Sequence, residues 1–152
     1  MDIENRLKEL GIVIPAPGKP VAAYVPGVKA GEFIYISGQL PIKEGKLLYC
    51  GKLGRDLNIE EGQAAGRLAA LNCLGILKSF LDKWEQLGQI VKLTGFIQSM
   101  DTFQEQAAVL NGASELLEQV LGERGKHARV AVGVNSLPLN AACEIEMIAQ
   151  LK

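Results

Sequence analysis

Residues 125–149 read GKHARVAVGVNSLPLNAACEIEMIA and place single charges inside two apolar segments. Arg129 lies among alanine and valine residues, and Glu144 stands between a cysteine and an isoleucine. An unpaired charge at such a position is costly because the desolvation of an ion is expensive. The pattern therefore predicts two strands whose charged residues have either a partner or a chemical task.

Alternation predicts which side chains of these strands share a face, since successive residues of a strand point to opposite sides of a sheet. In the first strand we expect the valines to face the core and Arg129 to lie on the other face among small residues. In the second we expect the odd-numbered residues of 143–149 to face the core, with Glu144 and Glu146 pointing away. Both charges would then lie on one face, which suits a cleft or a subunit interface.

Composition narrows the class of protein. The 152 residues are enough for one domain, residues 1–152, whose core is aliphatic because 48% of residues are hydrophobic and 5% aromatic. A net charge of -1 without a clear basic patch argues against nucleic-acid binding. Three widely spaced cysteines without a CxxC pair indicate reduced thiols and argue against a zinc site. We expect a cytoplasmic protein with no membrane segment, metal or nucleotide cofactor.

Helix and strand signals order the rest of the chain. Asn58 followed by Glu61 predicts a helix start, and Gly38 and Pro41 predict a strand end. The expected helices cover about 3–10, 58–84 and 101–121, an extended connection runs from Pro15 to Gly27, and strands cover 32–38, 47–49 and 90–100 besides the two above. This order predicts an α+β fold with a mixed β-sheet and two helices packed on one face.

Candidate chemistry centres on the two charges. The planar guanidinium of Arg129 matches the two oxygens of a small carboxylate, and Glu144 could orient water as a general base. The alternative is an ion pair between Arg129 and either Glu144 or Glu146. His127 is the only histidine. Its position beside a glycine–lysine turn is typical of a hydrogen-bonded structural or surface group, and no triad or metal site is indicated.

Two further polar residues are candidates. Tyr24 lies between extended and turn signals, where it could pack or donate its hydroxyl to a ligand. Asn111 stands in a helical pattern that Asn mildly disfavours, which favours a polar contact at an interface over a solvated position.

Four blocks of sequence, taken in order, resemble one known family. They are Tyr24-Val25-Pro26-Gly27, ISGQLP at 36–41, Leu71-Asn72 in an alanine-rich helix, and 129–146 with LP at 137–138 and EIE at 144–146. The chain resembles the Rid family over nearly its whole length. This family was formerly called YjgF-type, and its best-known branch is the RidA enamine/imine deaminases. Residues 104–114 and 125–129 are more similar to a subgroup of longer chains than to RidA itself.

The resemblance implies a chorismate-mutase-like fold and a homotrimer with ligand clefts between subunits, in which trimerisation covers the open sheet face. Matched residue by residue, the carboxylate-binding arginine of the family falls on Arg129 and its water-orienting glutamate on Glu144. The cleft tyrosine falls on Tyr24, the glycine whose backbone meets the ligand on Gly38, and the polar asparagine on Asn111. No cofactor is implied.

The implied activity is hydrolytic deamination of reactive 2-imino or enamine acids, such as 2-aminoacrylate, to 2-keto acids and ammonia. Ala131 stands where RidA proteins commonly have cysteine, so that no thiol is available. One alternative is a non-catalytic trimeric module with a small-carboxylate-binding or regulatory role. Another is the ribonuclease activity attributed to the family, which predicts strong salt dependence. The near-neutral charge argues against the ribonuclease.

Overall fold

The architecture is one mixed sheet with helices on one face, seen in a computed structural model that describes residues 2–19 and 23–152. The expected connection from Pro15 to Gly27 is described except for residues 20–22. The helices of the described part are α1 (Ile3–Glu9), α2 (Ile59–Ser79) and α3 (Gln106–Leu121). The strands are β1 (Gly27–Ala30), β2 (Phe33–Gln39), β3 (Ile42–Lys43), β4 (Lys46–Leu47), β5 (Leu87–Gln98), β6 (Ala128–Val134) and β7 (Cys143–Leu151).

The sheet order is β1-β2-β7-β5-β6, and only the β5–β6 pair within it is parallel. Strands β3 and β4 form a separate hairpin beside this sheet. Helix α2 packs on β2 and β7, and α3 lies beside α2 against β5 and β6. The expected α+β architecture with two helices on one face is confirmed, and α1 adds a short helix that packs on α3.

Two helix boundaries differ from expectation. Helix α2 begins at the expected capping box, in which Asn58 Oδ1 accepts from the Glu61 amide at 2.8 Å. It ends at Ser79 and not near Trp84, because the chain turns there and Trp84 is buried in a separate short turn of 3₁₀ helix. Helix α3 starts at Gln106 and not near residue 101, because Phe103 folds back to bond the Met100 carbonyl and packs on the core.

Small residues let α2 and α3 approach closely. Gly66 on α2 lies near the Val109 carbonyl of α3. A methyl added at Gly66 would lie 3.5 Å from the Val109 carbonyl oxygen, which is an ordinary van der Waals contact. Gly112 on α3 lies against the backbone of α2, and an added methyl there would come within 2.7 Å of the Gln63 carbonyl carbon. The side chain of Gln63 also donates to the Ala108 carbonyl at 2.8 Å. These contacts fix the position of α3 over the sheet.

The face assignment is confirmed for β7 and wrong for β6. Cys143 and the other odd-numbered residues of 143–149 are fully buried under the helices, as expected. In β6, Arg129 is the neighbour of the fully buried Leu93, and neighbouring residues in a sheet point to the same side. Arg129 therefore points to the helix side. Val130 and Val132 are 41% and 38% exposed on the opposite side of the sheet, away from α2 and α3, which we call the open face.

Opposite effects are expected from two glycine-to-alanine substitutions at the α2–α3 contact. Gly112→Ala would force a methyl against backbone, so we expect a loss of about 1–3 kcal/mol in the free energy of unfolding. Gly66→Ala has room for its methyl and gains helix propensity, so we expect a gain of about 0.5–1 kcal/mol. Denaturant unfolding at equal protein concentration measures both, and effects of the same sign would contradict the proposed close approach.

Candidate functional site

Arg129 is held by helix α3. Its Nη1 donates to Ser114 Oγ at 3.0 Å and its Nη2 donates to the Ala107 carbonyl at 3.3 Å. Ala107, Asn111 and Ser114 follow one another at helical spacing and share one face of α3, so Asn111 lies beside the guanidinium. A guanidinium has five N–H donors, and two of them are used here. The others remain for a ligand.

His127 extends this hydrogen-bonded group. Its Nε2 lies 2.9 Å from Ser114 Oγ, and its Nδ1 lies 2.6 Å from the Gly125 carbonyl oxygen. The expectation of a hydrogen-bonded histidine is confirmed, but its connection to Arg129 through Ser114 was not anticipated. Alternation could have indicated it, since His127 lies one residue before β6, and residues 127 and 129 of an extended chain point to the same side.

Glu144 lies on the open face, against Gly38. A methyl group added to Gly38 would overlap the Glu144 carboxylate and come within 2.9 Å of its carboxyl carbon. Burial raises the pKa of Glu144 above its ordinary value, and the negative charge of Glu146 raises it further. A carboxylate with a raised pKa is a better proton acceptor at neutral pH, which is what a general base requires.

Tyr24 belongs to the segment that leads into β1. This segment is tied to β2 because the Ser37 hydroxyl donates to the Val25 carbonyl at 2.8 Å and the Ser37 amide donates to the Pro26 carbonyl at 2.9 Å. Tyr24 itself is 53% exposed. The segment therefore runs beside Gly38, although no contact joins Tyr24 to the Glu144 carboxylate among the hydrogen bonds of the described residues.

The predicted site residues fall into two groups within one chain. Asn111 and Arg129 lie between α3 and β6 on the helix side, whereas Gly38 and Glu144 lie at the β2–β7 pair on the open side. The expectation that Arg129 and Glu144 share one face is therefore wrong for a single chain. The alternative ion pair is not formed either, since the ion pairs among residues 2–19 and 23–152 join other side chains.

The open face carries exposed apolar side chains near both edges of the sheet, and Glu144 lies between these edges among other charged and polar side chains of β5 and β7. Val28 and Tyr35, neighbours in the β1–β2 pair, are 50% and 48% exposed, and Val130 and Val132 continue this face at the other end of the sheet. Single exposed apolar residues are normal, but several large ones on the same side of a sheet are typical of a contact with another protein surface.

Comparison with known proteins gives one consistent family. The family described as "YjgF/chorismate mutase-like, putative endoribonuclease" matches residues 4–151. Protein TCP17 of Trypanosoma cruzi is 41% identical over 150 residues, which cover 98% of this chain and 94% of that protein. A crystal structure named as a "putative endoribonuclease" from Shewanella oneidensis has a TM-score of 0.95 and 36% identity, and the match covers 99% of this chain and 100% of that one.

A more distant structure has a bound ligand. The structure of E. coli TdcF with bound serine has a TM-score of 0.64 and 26% identity, and the match covers 89% of this chain and 92% of that one. Together these matches confirm the expected chorismate-mutase-like fold. None of the helices in the described part of this chain combines the length and apolar character that crossing a membrane requires.

We expect Glu146→Gln to lower the pKa of Glu144, because it removes the second cause of the rise. The pKa should stay above the ordinary carboxyl value, because burial, the larger cause, is unchanged. Titration of the Glu144 carboxyl carbon by NMR measures this shift. Glu85→Gln, in the short 3₁₀ turn before β5, is the matched control and should leave the pKa of Glu144 unchanged. An unchanged value in Glu146→Gln would contradict the assignment of the two causes.

Proposed function

The chain belongs to the YjgF/chorismate mutase-like family, and on this premise we propose that it hydrolyses reactive 2-imino acids to 2-keto acids and ammonia. The tautomer of 2-aminoacrylate is an example of such a substrate. The observation that carries the proposal is the set of hydrogen-bond partners of the Arg129 guanidinium. Neutral acceptors on α3 hold its guanidinium, and no carboxylate pairs with it in the described part of the chain. A guanidinium that is held in place without a carboxylate partner can bind the carboxylate of a ligand.

We further propose that the reactive cleft is assembled from two copies of the chain in a homotrimer. Arg129 and Glu144 point to opposite sides of their own sheet, so one chain alone cannot aim both at a small substrate. The open face carries exposed apolar side chains that a second copy would bury. In this arrangement Arg129 of one subunit meets Glu144 of its neighbour, and three equivalent clefts result.

The reaction consumes one water and needs no redox partner. Arg129 binds the substrate carboxylate and holds the electrophilic C2 in the cleft. Glu144 accepts a proton from water as the water oxygen attacks C2 of the iminium, which gives a carbinolamine. Glu144 passes this proton to the amine nitrogen, the carbinolamine hydroxyl then gives its proton to the Glu144 carboxylate, and the C–N bond breaks as the carbonyl forms. The proton left on Glu144 is released with the ammonia, as ammonium. Ammonia and a 2-keto acid leave.

The other predicted residues complete the proposed cleft. The missing side chain of Gly38 leaves the space that the Glu144 carboxylate occupies, and its backbone can meet the ligand. Asn111 lies beside Arg129 on α3, where its amide can bond the substrate. Tyr24 is exposed and can present its hydroxyl to the same ligand. Cys50, Cys73 and Cys143 are free thiols, which fits the proposed cytoplasmic location.

The serine bound to TdcF supports the proposed ligand class. Serine, like a 2-imino acid, is a small molecule with a carboxylate next to a nitrogen-bearing carbon. The Shewanella structure is named as a putative endoribonuclease. We do not propose this activity for the chain, because RNA binding relies on positive charge and the net charge here is -1. A non-catalytic carboxylate-binding module would use the same Arg129, and turnover separates it from a deaminase.

We expect the wild-type protein to accelerate keto-acid production from enzymatically generated 2-aminoacrylate, and Arg129→Ala to lower kcat/KM by about 100-fold or more because the anchor is lost. Spectrophotometric detection of the keto acid measures both. Arg55→Ala, which removes an arginine from an exposed ion pair with Asp56, is the matched control and should keep full activity. A wild-type protein that binds pyruvate without accelerating any of a panel of imines would contradict the deaminase and favour the binding module.

Mixing two inactive variants tests where the catalytic pair comes from. Arg129→Ala and Glu144→Gln chains, unfolded together in equimolar amounts and refolded, should regain activity in about one quarter of the clefts. In that fraction, random assembly takes the arginine from a Glu144→Gln chain and the glutamate from an Arg129→Ala chain. Each variant refolded alone should stay inactive. If both residues of a cleft came from one chain, the mixture would also stay inactive. Light scattering establishes that each sample has the mass of three chains.

A further inference from the structure

Three side chains form a hydrogen-bonded row that leads from the guanidinium of Arg129 to the main chain. Arg129 Nη1 lies 3.0 Å from Ser114 Oγ, which lies 2.9 Å from His127 Nε2. His127 Nδ1 lies 2.6 Å from the Gly125 carbonyl oxygen. The row joins β6, α3 and the turn between them.

The chemistry of the two ends sets the direction of every bond. A carbonyl oxygen only accepts, so Nδ1 of His127 carries the hydrogen that bonds Gly125. In the neutral ring Nε2 is then an acceptor, and the Ser114 hydroxyl donates to it. A guanidinium only donates, so Arg129 donates to the lone pairs left on Ser114 Oγ. The neutral Nδ1–H tautomer is the state in which every hydrogen of the row has an acceptor.

The far end of the row is fixed. Gly125 is buried and lies against the backbone of α3, where an added methyl would overlap the Leu117 carbonyl and come within 3.0 Å of the Glu118 nitrogen. Its carbonyl therefore has little freedom to move. The ring of His127, held by that carbonyl, holds the Ser114 hydroxyl in one orientation, and Ser114 in turn holds one nitrogen of Arg129.

We propose that Ser114 and His127 are positioning residues that hold the Arg129 guanidinium in the orientation in which it receives a carboxylate. The inference rests on the proposed role of Arg129 as a carboxylate anchor. Without Ser114, the contact of 3.3 Å to the Ala107 carbonyl is the hydrogen bond that the guanidinium keeps within the described part of the chain. It would then sample several rotamers, and a ligand would have to order it on binding, which weakens affinity.

The first test uses the free protein and no ligand. Because His127 is the only histidine of the chain, its ring nitrogens give one unambiguous set of ¹⁵N signals. We expect these signals to show the Nδ1–H pattern, because Nδ1 faces the Gly125 carbonyl oxygen. We also expect the Arg129 Nε–H signal to be sharp in the wild type and lost to motion and exchange in Ser114→Ala. A ring in the Nε2–H form, or an Arg129 signal unchanged in Ser114→Ala, would overturn the proposal.

The second test measures the dissociation constant of pyruvate by titration calorimetry. Ser114→Ala should weaken binding about tenfold, the usual effect of losing a hydrogen bond to a charged group, while thermal stability stays close to that of the wild type. Ser114→Thr keeps the hydroxyl and should keep the affinity. His127→Gln keeps an acceptor at the Nε2 position, whereas His127→Asn does not, so we expect Gln to retain more affinity than Asn. Equal affinity of Ser114→Ala and wild type would overturn the proposal.

The two tests separate this inference from the proposed function. If the wild type binds no pyruvate but Ser114→Ala still loses the sharp Arg129 signal, the carboxylate anchor is wrong and the positioning of Arg129 stands. If pyruvate binds and Ser114→Thr fails to restore what Ser114→Ala loses, the hydroxyl is not the cause and the positioning role is overturned.

Discussion

The parallel register between β5 and β6 is the constraint on which the candidate site depends. It sets Arg129 beside Leu93, which is fully buried under the helices, and neighbours in a sheet share a side. A register shifted by one residue would send Arg129 to the open face and bury the valines in its place. The guanidinium would then lose Ser114 and the Ala107 carbonyl, both of which lie on α3.

Close packing of α3 on α2 and on the sheet brings α3 within hydrogen-bond distance of Arg129 on β6. Gly112 lets α3 lie against the backbone of α2, and Gly95 of β5 lets Leu110 of α3 pack directly on the sheet. Larger side chains at these positions would push α3 away from β6 by the thickness of the added groups. The hydrogen bond of 3.0 Å between Arg129 and Ser114 therefore depends on glycines that have no chemistry of their own.

The two sides of the sheet have different chemical characters. On the helix side, a permanent cation donates to a hydroxyl and a main-chain carbonyl, and the imidazole of His127 is hydrogen-bonded to that hydroxyl. On the open side, the half-buried Glu144 has a raised pKa and lies near a second carboxylate, that of Glu146, while exposed apolar residues lie toward the edges of the sheet. A small carboxylate substrate needs both the cation and the base, which is why we place the proposed chemistry between two copies of the chain.

The sequence by itself determined the classes of the three helices and of β2, β5, β6 and β7, the capping box of α2, the buried row of β7 and the family. These features depend on short-range periodicity and on residues in fixed order. It also singled out Arg129, Glu144, Gly38 and Asn111. The tertiary structure alone decided that Arg129 faces the helices and that His127 reaches it through Ser114. The valine row of β6 is apolar enough for a core, and alternation says that two rows oppose each other without saying which one the helices cover. That choice is made by the pairing of β6 with β5, a contact between segments distant in the chain.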